Sequence, residues 1–156
     1  MFLRVATLAL LALASHGASA QQQQVVLSNA RSLDFGRFVA GGGGTIILSP
    51  SGLRSRTGSV VLLNSPNTGQ AVFNVGKANN GNGNKAVIIS LPPNGSTRLT
   101  SGANSMAVGN FVNTPSALTS IPAGGTTLGI GATLTVAPNQ APGEYSGTFS
   151  LTINYQ

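Results

Sequence analysis

The chain has 156 residues, only 6% of them charged, 21 glycines, 8 prolines, no cysteine and a formal net charge of +6. Disulfide and thiolate chemistry are therefore excluded. One histidine, His16, and two acids, Asp34 and Glu144, leave little for acid–base, nucleophilic or metal chemistry.

Residues 1–20, MFLRVATLALLALASHGASA, combine Arg4, an apolar run from Val5 to Ala14 and a small-x-small site at Ala18, Ser19 and Ala20. This is the pattern of a secretory signal peptide, too short to span a bilayer as a helix. Cleavage after Ala20 would leave 21–156 as one exported domain. The loss of Arg4 and His16 leaves seven Lys or Arg against two acids, a net charge of +5. No later stretch is long and apolar enough to read as a transmembrane helix.

The body of the chain reads as short β-type runs between turns. They fall at 25–29, 32–39, 45–48, 59–64, 71–76, 86–90, 96–100, 105–111 and 126–136. Punctuation comes from Gly41 to Gly44, Pro50-Ser51-Gly52, Asn67-Thr68-Gly69, the Asn/Gly loop 79–84 and Pro92-Pro93. No window has a 3.6-residue period. The last run, 144–156, alternates without a break: Tyr145, Gly147, Phe149, Leu151, Ile153 and Tyr155 on one face, hydroxyls and amides on the other. A long strand of this kind needs a sheet beside it and a layer against its apolar face. The expected fold is an all-β antiparallel sandwich.

With no histidine or cysteine after residue 20, Ser–His and Cys–His pairs and the usual zinc sites are excluded from the exported domain. Asp34 and Glu144 fall in different runs, so no carboxylate pair is expected. The expectation is no catalytic residue, no metal site, no cofactor and no enzymatic activity. The run from Gly41 to Gly44 lacks the lysine and helix of a phosphate loop. Arg54, Arg56, Lys77, Lys85 and Arg98 read as scattered solubilising charges. No aromatics alternate with them to stack bases, so no nucleic-acid partner is expected.

The ordered combination of Leu33-Asp34-Phe35-Gly36, TIILSPSGLRSRTG at 45–58, Val60-Val61-Leu62-Leu63, MAVGNF at 106–111 and GATLTVAPNQAPGEYSGTFSLTINY at 131–155 resembles a family of small secreted bacterial β-sandwich domains. That family is catalogued as a domain of unknown function and is related to chaperone–usher pilins. Tyr155 is penultimate and Gly143 is fourteenth from the end, as in those pilins. The resemblance implies an immunoglobulin-like, pilin-type sandwich that can lack its last strand. It also implies a structural or adhesive subunit of a surface fimbria, with other fibre subunits, a periplasmic chaperone and an outer-membrane usher as partners. Export through the periplasm to the cell surface follows from the same reading. The strand-acceptor groove and chaperone contact would involve Gly143, Tyr145, Phe149, Leu151, Ile153 and Tyr155. Val25 and Leu27 are the candidate donor residues. The pilin cysteine pair is absent, and the short stretch 21–24 ahead of the first core strand is what a distal, non-donating subunit would carry. The alternative is a stand-alone secreted sandwich that binds carbohydrate or an envelope surface. The two differ in whether the final strand has a neighbour on both edges.

Overall fold

A computed structural model describes residues 24–78 and 85–156. The stretch read as a signal peptide and the Asn/Gly loop 79–84 lie outside the described residues. The described chain is all β and antiparallel, in a β-sandwich-like arrangement. Its strands are β1 (Val25–Arg31), β2 (Phe38–Val39), β3 (Gly44–Leu48), β4 (Arg54–Gly58), β5 (Val61–Leu62), β6 (Ala71–Lys77), β7 (Val87–Ser90), β8 (Thr97–Ser101), β9 (Asn104–Thr114), β10 (Thr126–Val136) and β11 (Thr152–Tyr155).

The sheet is built on β10. Its even-numbered residues Leu128, Ile130, Ala132, Leu134 and Val136 are all buried, as period-2 alternation requires. One edge of β10 pairs with β9, which pairs in turn with β8. The other edge is shared: Thr126 to Ile130 pair with β6, and Ala132 to Val136 pair with β3. β1 extends the sheet beyond β6, and β4 extends it beyond β3. Two short pairs, β11–β7 and β2–β5, supply the opposing layer. The core forms two clusters, one around Ile46, Leu48, Met106 and Leu134, the other around Val75, Ile121, Leu128 and Ile130. Leu33 and Phe111 touch both.

Sharing one edge creates a steric problem at the changeover. Beyond Leu48 the chain must leave the sheet, because β6 already occupies the next positions along β10. It does so by crossing the outer face of Gly129 and Gly131. A Cβ on Gly131 would collide with the Leu48 carbonyl and come within 2.7 Å of the Pro50 nitrogen. Backbone cannot swing aside as a side chain can. Gly131→Ala is therefore expected to destabilise the fold by about 1–3 kcal/mol, the usual cost of overpacking. Gly76→Ala in β6, where a Cβ would meet nothing within 4 Å, should be close to neutral in the same urea titration.

Several expected runs change on folding. The stretch 32–39 is a corner rather than a strand: a single bridge joins Asp34 to Gly69, and only β2 is laddered. Gly36 has φ +72°, and its N–H donates to Asp34 Oδ1 at 2.7 Å. That left-handed turn carries Phe35 into the core, where it is 6% exposed. The segment RSRTG, which falls between the expected runs, is strand β4. It lies at the sheet edge, so its polarity costs nothing, and its charges discourage pairing with another chain. The last run, expected as one strand over 144–156, is laddered only in β11 and bridged once, at Ser146 to Thr100. The Pro92-Pro93 break between β7 and β8 removes the partner that 147–151 would otherwise have.

Candidate functional site: an open groove beside the last segment

The period-2 face of the last segment survives the loss of its ladder. Tyr145, Phe149, Leu151, Ile153 and Tyr155 are all half-buried, while the even-numbered residues from 144 to 156 are exposed. None of the five reaches the full burial seen along β10. The apolar layer is present but incompletely covered.

The backbone explains why. Ser146 exchanges hydrogen bonds with Thr100, its N–H donating to the Thr100 carbonyl at 3.1 Å and its carbonyl accepting from Thr100 N–H at 2.8 Å. The Gln156 N–H donates to the Ala86 carbonyl at 2.9 Å. Both residues are even-numbered and both face the β7–β8 side. In extended chain successive residues direct their amides to opposite edges. The amides and carbonyls of Gly147, Phe149, Leu151, Ile153 and Tyr155 therefore face the other edge. Among the described residues no strand pairs with that edge. β1 approaches β11 there, with Cα atoms within 8 Å, but shares no ladder with it.

Between this free edge and residues 29–35 lies a cleft of about 250 Å³. Gly147, Thr148 and Phe149 form one wall; Asn29, Ser32, Leu33 and Phe35 form the other. Phe73, Leu99, Val108 and Phe111 line it from the main sheet. The aromatic rings form a continuous surface. Phe149 meets Phe111 at 5.2 Å between centroids and Phe73 edge-on at 6.3 Å. An enclosed apolar void of roughly 150 Å³ takes up a benzene-sized group; this cleft is larger, open and partly polar, with its phenylalanine rings offering an apolar surface to a side chain. Gly147 shapes its mouth. A Cβ there would strike the Arg98 carbonyl, and its lack of a side chain leaves a gap in the apolar row between Tyr145 and Phe149.

The sequence-predicted site residues divide. Phe149 lines the cleft; Leu151, Ile153 and Tyr155 do not, and pack instead on the second core cluster. Tyr145 lies at the other end and closes its own turn, its hydroxyl donating to the Ala141 carbonyl at 2.7 Å and accepting from Gln140 at 2.9 Å. Gly143 is not brought to the cleft; it sits in that turn against Ser101 of β8. Val25 and Leu27 are in β1, paired with Lys77 and Val75 and packed on the core. Donation through them would require β1 to leave β6. Phe73, Leu33, Phe35 and Phe111 were not singled out as site residues. The available signal was the scarcity of aromatics, which makes each phenylalanine a candidate for a common cluster.

Several basic side chains are engaged in hydrogen bonds to nearby backbone or hydroxyl groups. Arg54 donates to the carbonyls of Leu63 and Arg37 at 3.1 and 2.8 Å, which ties β4 to the 36–38 corner. Burial lowers its pKa, and nearby Asp34 opposes that shift. Arg56 is turned to the Gly58 carbonyl and Arg98 to Ser105. Among the described residues no three His, Cys, Asp or Glu side chains come together. Asp34 holds the Gly36 turn, and Glu144 is exposed.

A family model described as "Domain of unknown function (DUF4402)" matches residues 25–155, from the first residue of β1 to the last of β11. No curated protein and no solved structure matches.

Proposed function

We propose, for a chain that belongs to the family described as Domain of unknown function (DUF4402), the role of a structural or adhesive subunit of a bacterial surface fibre. Its sandwich is completed by an extended strand from another chain. The incoming strand lies along the free edge of 147–155, takes up the odd-numbered amides and carbonyls, and seats alternate apolar side chains over the cleft. Donor-strand assembly of the chaperone–usher pilin kind works in this way, with the chaperone covering the groove first and a neighbouring subunit replacing it. An exported, cysteine-free, non-enzymatic domain suits the role.

The observation that carries the reading is the coincidence of an unpaired backbone edge with an apolar cleft on the same side. Unpaired edges recruit strands, and proteins that keep them blunt them with charge, as β4 does. The edge at 147–155 carries no charge at all. A stand-alone binding module would instead be expected to have its final strand flanked on both edges.

The test is amide hydrogen exchange on the exported domain, alone and with a synthetic peptide of about ten residues alternating valine and threonine, the length of one strand. The amides of Phe149, Leu151 and Ile153 should exchange fast in the free chain and become protected with the peptide. Their full protection in a free, stable monomer would sink the reading.

A further inference from the structure

We infer that Asn94 is a positioning residue for the groove, and that it acts through a β-bulge at Asn110 which turns Phe111 into the cleft; the inference rests on the groove being the functional site. Pairing between β9 and β10 sets Val108 against Leu134 and Gly109 against Thr133, then Val112 against Gly131. Two residues of β9, Asn110 and Phe111, thus oppose the single residue Ala132. Without the extra residue, Phe111 would fall opposite Gly131 and face outward. Val112 now holds that outward position and is 47% exposed. The bulge inverts the alternation of β9: Met106 and Val108 are buried before it, and Phe111 points inward after it. Phe111 is one of the two rings that meet Phe149, and it packs against both core clusters.

A bulge leaves its extra residue without a ladder partner and demands unusual dihedrals. Asn110 has φ +47°, a conformation that asparagine tolerates better than most residues. Its N–H donates not to a strand but to Asn94 Oδ1 at 2.7 Å, and Asn94 Nδ2 donates back to Asn110 Oδ1 at 3.2 Å. Asn94 is itself held in a tight turn, in which Ser96 N–H and Oγ both donate to the Pro93 carbonyl. The Pro-Asn-Gly-Ser turn that follows β7 is therefore a clamp on the strand two elements later.

The experiment uses the exported domain as Asn94→Ala and Asn94→Asp. The aspartate keeps the acceptor for Asn110 N–H and accepts from the Asn110 amide with its second oxygen. Two readouts are followed: ring-to-ring nuclear Overhauser contacts between Phe111 and Phe149, and capture of the alternating valine–threonine peptide. Asn94→Ala should lose the ring contacts and bind the peptide about tenfold more weakly, the scale of one net hydrogen bond. Asn94→Asp should restore both. If Asn94→Ala does not fold, Asn110→Gly, which accepts positive φ freely, should keep the ring contacts and Asn110→Val should lose them. Ring contacts unchanged in Asn94→Ala, or in Asn110→Val, overturn the inference. If the wild-type chain captures no peptide while Asn94→Ala still loses the ring contacts, the positioning role stands and the fibre reading falls.

Discussion

A strand grafted after Gln156, through a short turn, should stabilise the domain strongly in one register and hardly at all in the other. Folding back from Tyr155 toward Gly147, it would run antiparallel to the free edge, as a hairpin. In the first version the apolar residues of the graft face the cleft. In the second the same residues are shifted by one position, which sends every side chain to the opposite face. Both grafts order the same length of backbone, so that cost cancels in the comparison. What remains is apolar burial, about 1.5–3 kcal/mol for each large side chain seated, or roughly 4–9 kcal/mol for three. Urea midpoints of the two proteins measure it directly. Equal midpoints would mean that the cleft does not accept a strand.

Phe149→Ala should lower the unfolding free energy by about 3 kcal/mol, the low end for a phenylalanine truncated in a core. The ring is only half-buried, which argues against the upper end of that range. Its contacts with Phe73 and Phe111 add aromatic pairing to burial. Thr152→Ala, on the exposed face of the same segment, should change stability by less than about 0.5 kcal/mol. Chemical denaturation of the two variants beside the wild type checks both. Comparable losses would mean that the odd-numbered face is not the covered one.

These two expectations depend on different kinds of information. The faces of the strands are local: alternation at 126–136 and 145–155 is written in adjacent residues, and the structure buries the apolar face of the first and half-buries the large apolar residues of the second. The absence of helix among the described residues is local as well, because no window has a 3.6-residue period and glycine and proline recur along most of the chain. Of the residues that line the cleft, Phe149 follows from the same period, whereas Leu33, Phe35, Phe73 and Phe111 do not.

What lay beyond the sequence was decided by partners. RSRTG has no alternation to read, and it is a strand because β3 offers it an edge. The run 147–151 has perfect alternation yet no ladder, because Pro92-Pro93 separates the strands that hold Ser146 and β11 on either side of it. Gly129 and Gly131 look like interruptions of a strand, but they are where the chain leaving β3 crosses β10. Phe111 looks outward-facing by its spacing from Val108, and one inserted residue, held from a distant turn, reverses it. Side-chain alternation is a property of one strand and is carried by its own residues. Ladder pairing, edge exposure and bulges are properties of two or three strands at once, so only the folded arrangement decides which edge stays open and what lines the cleft beside it.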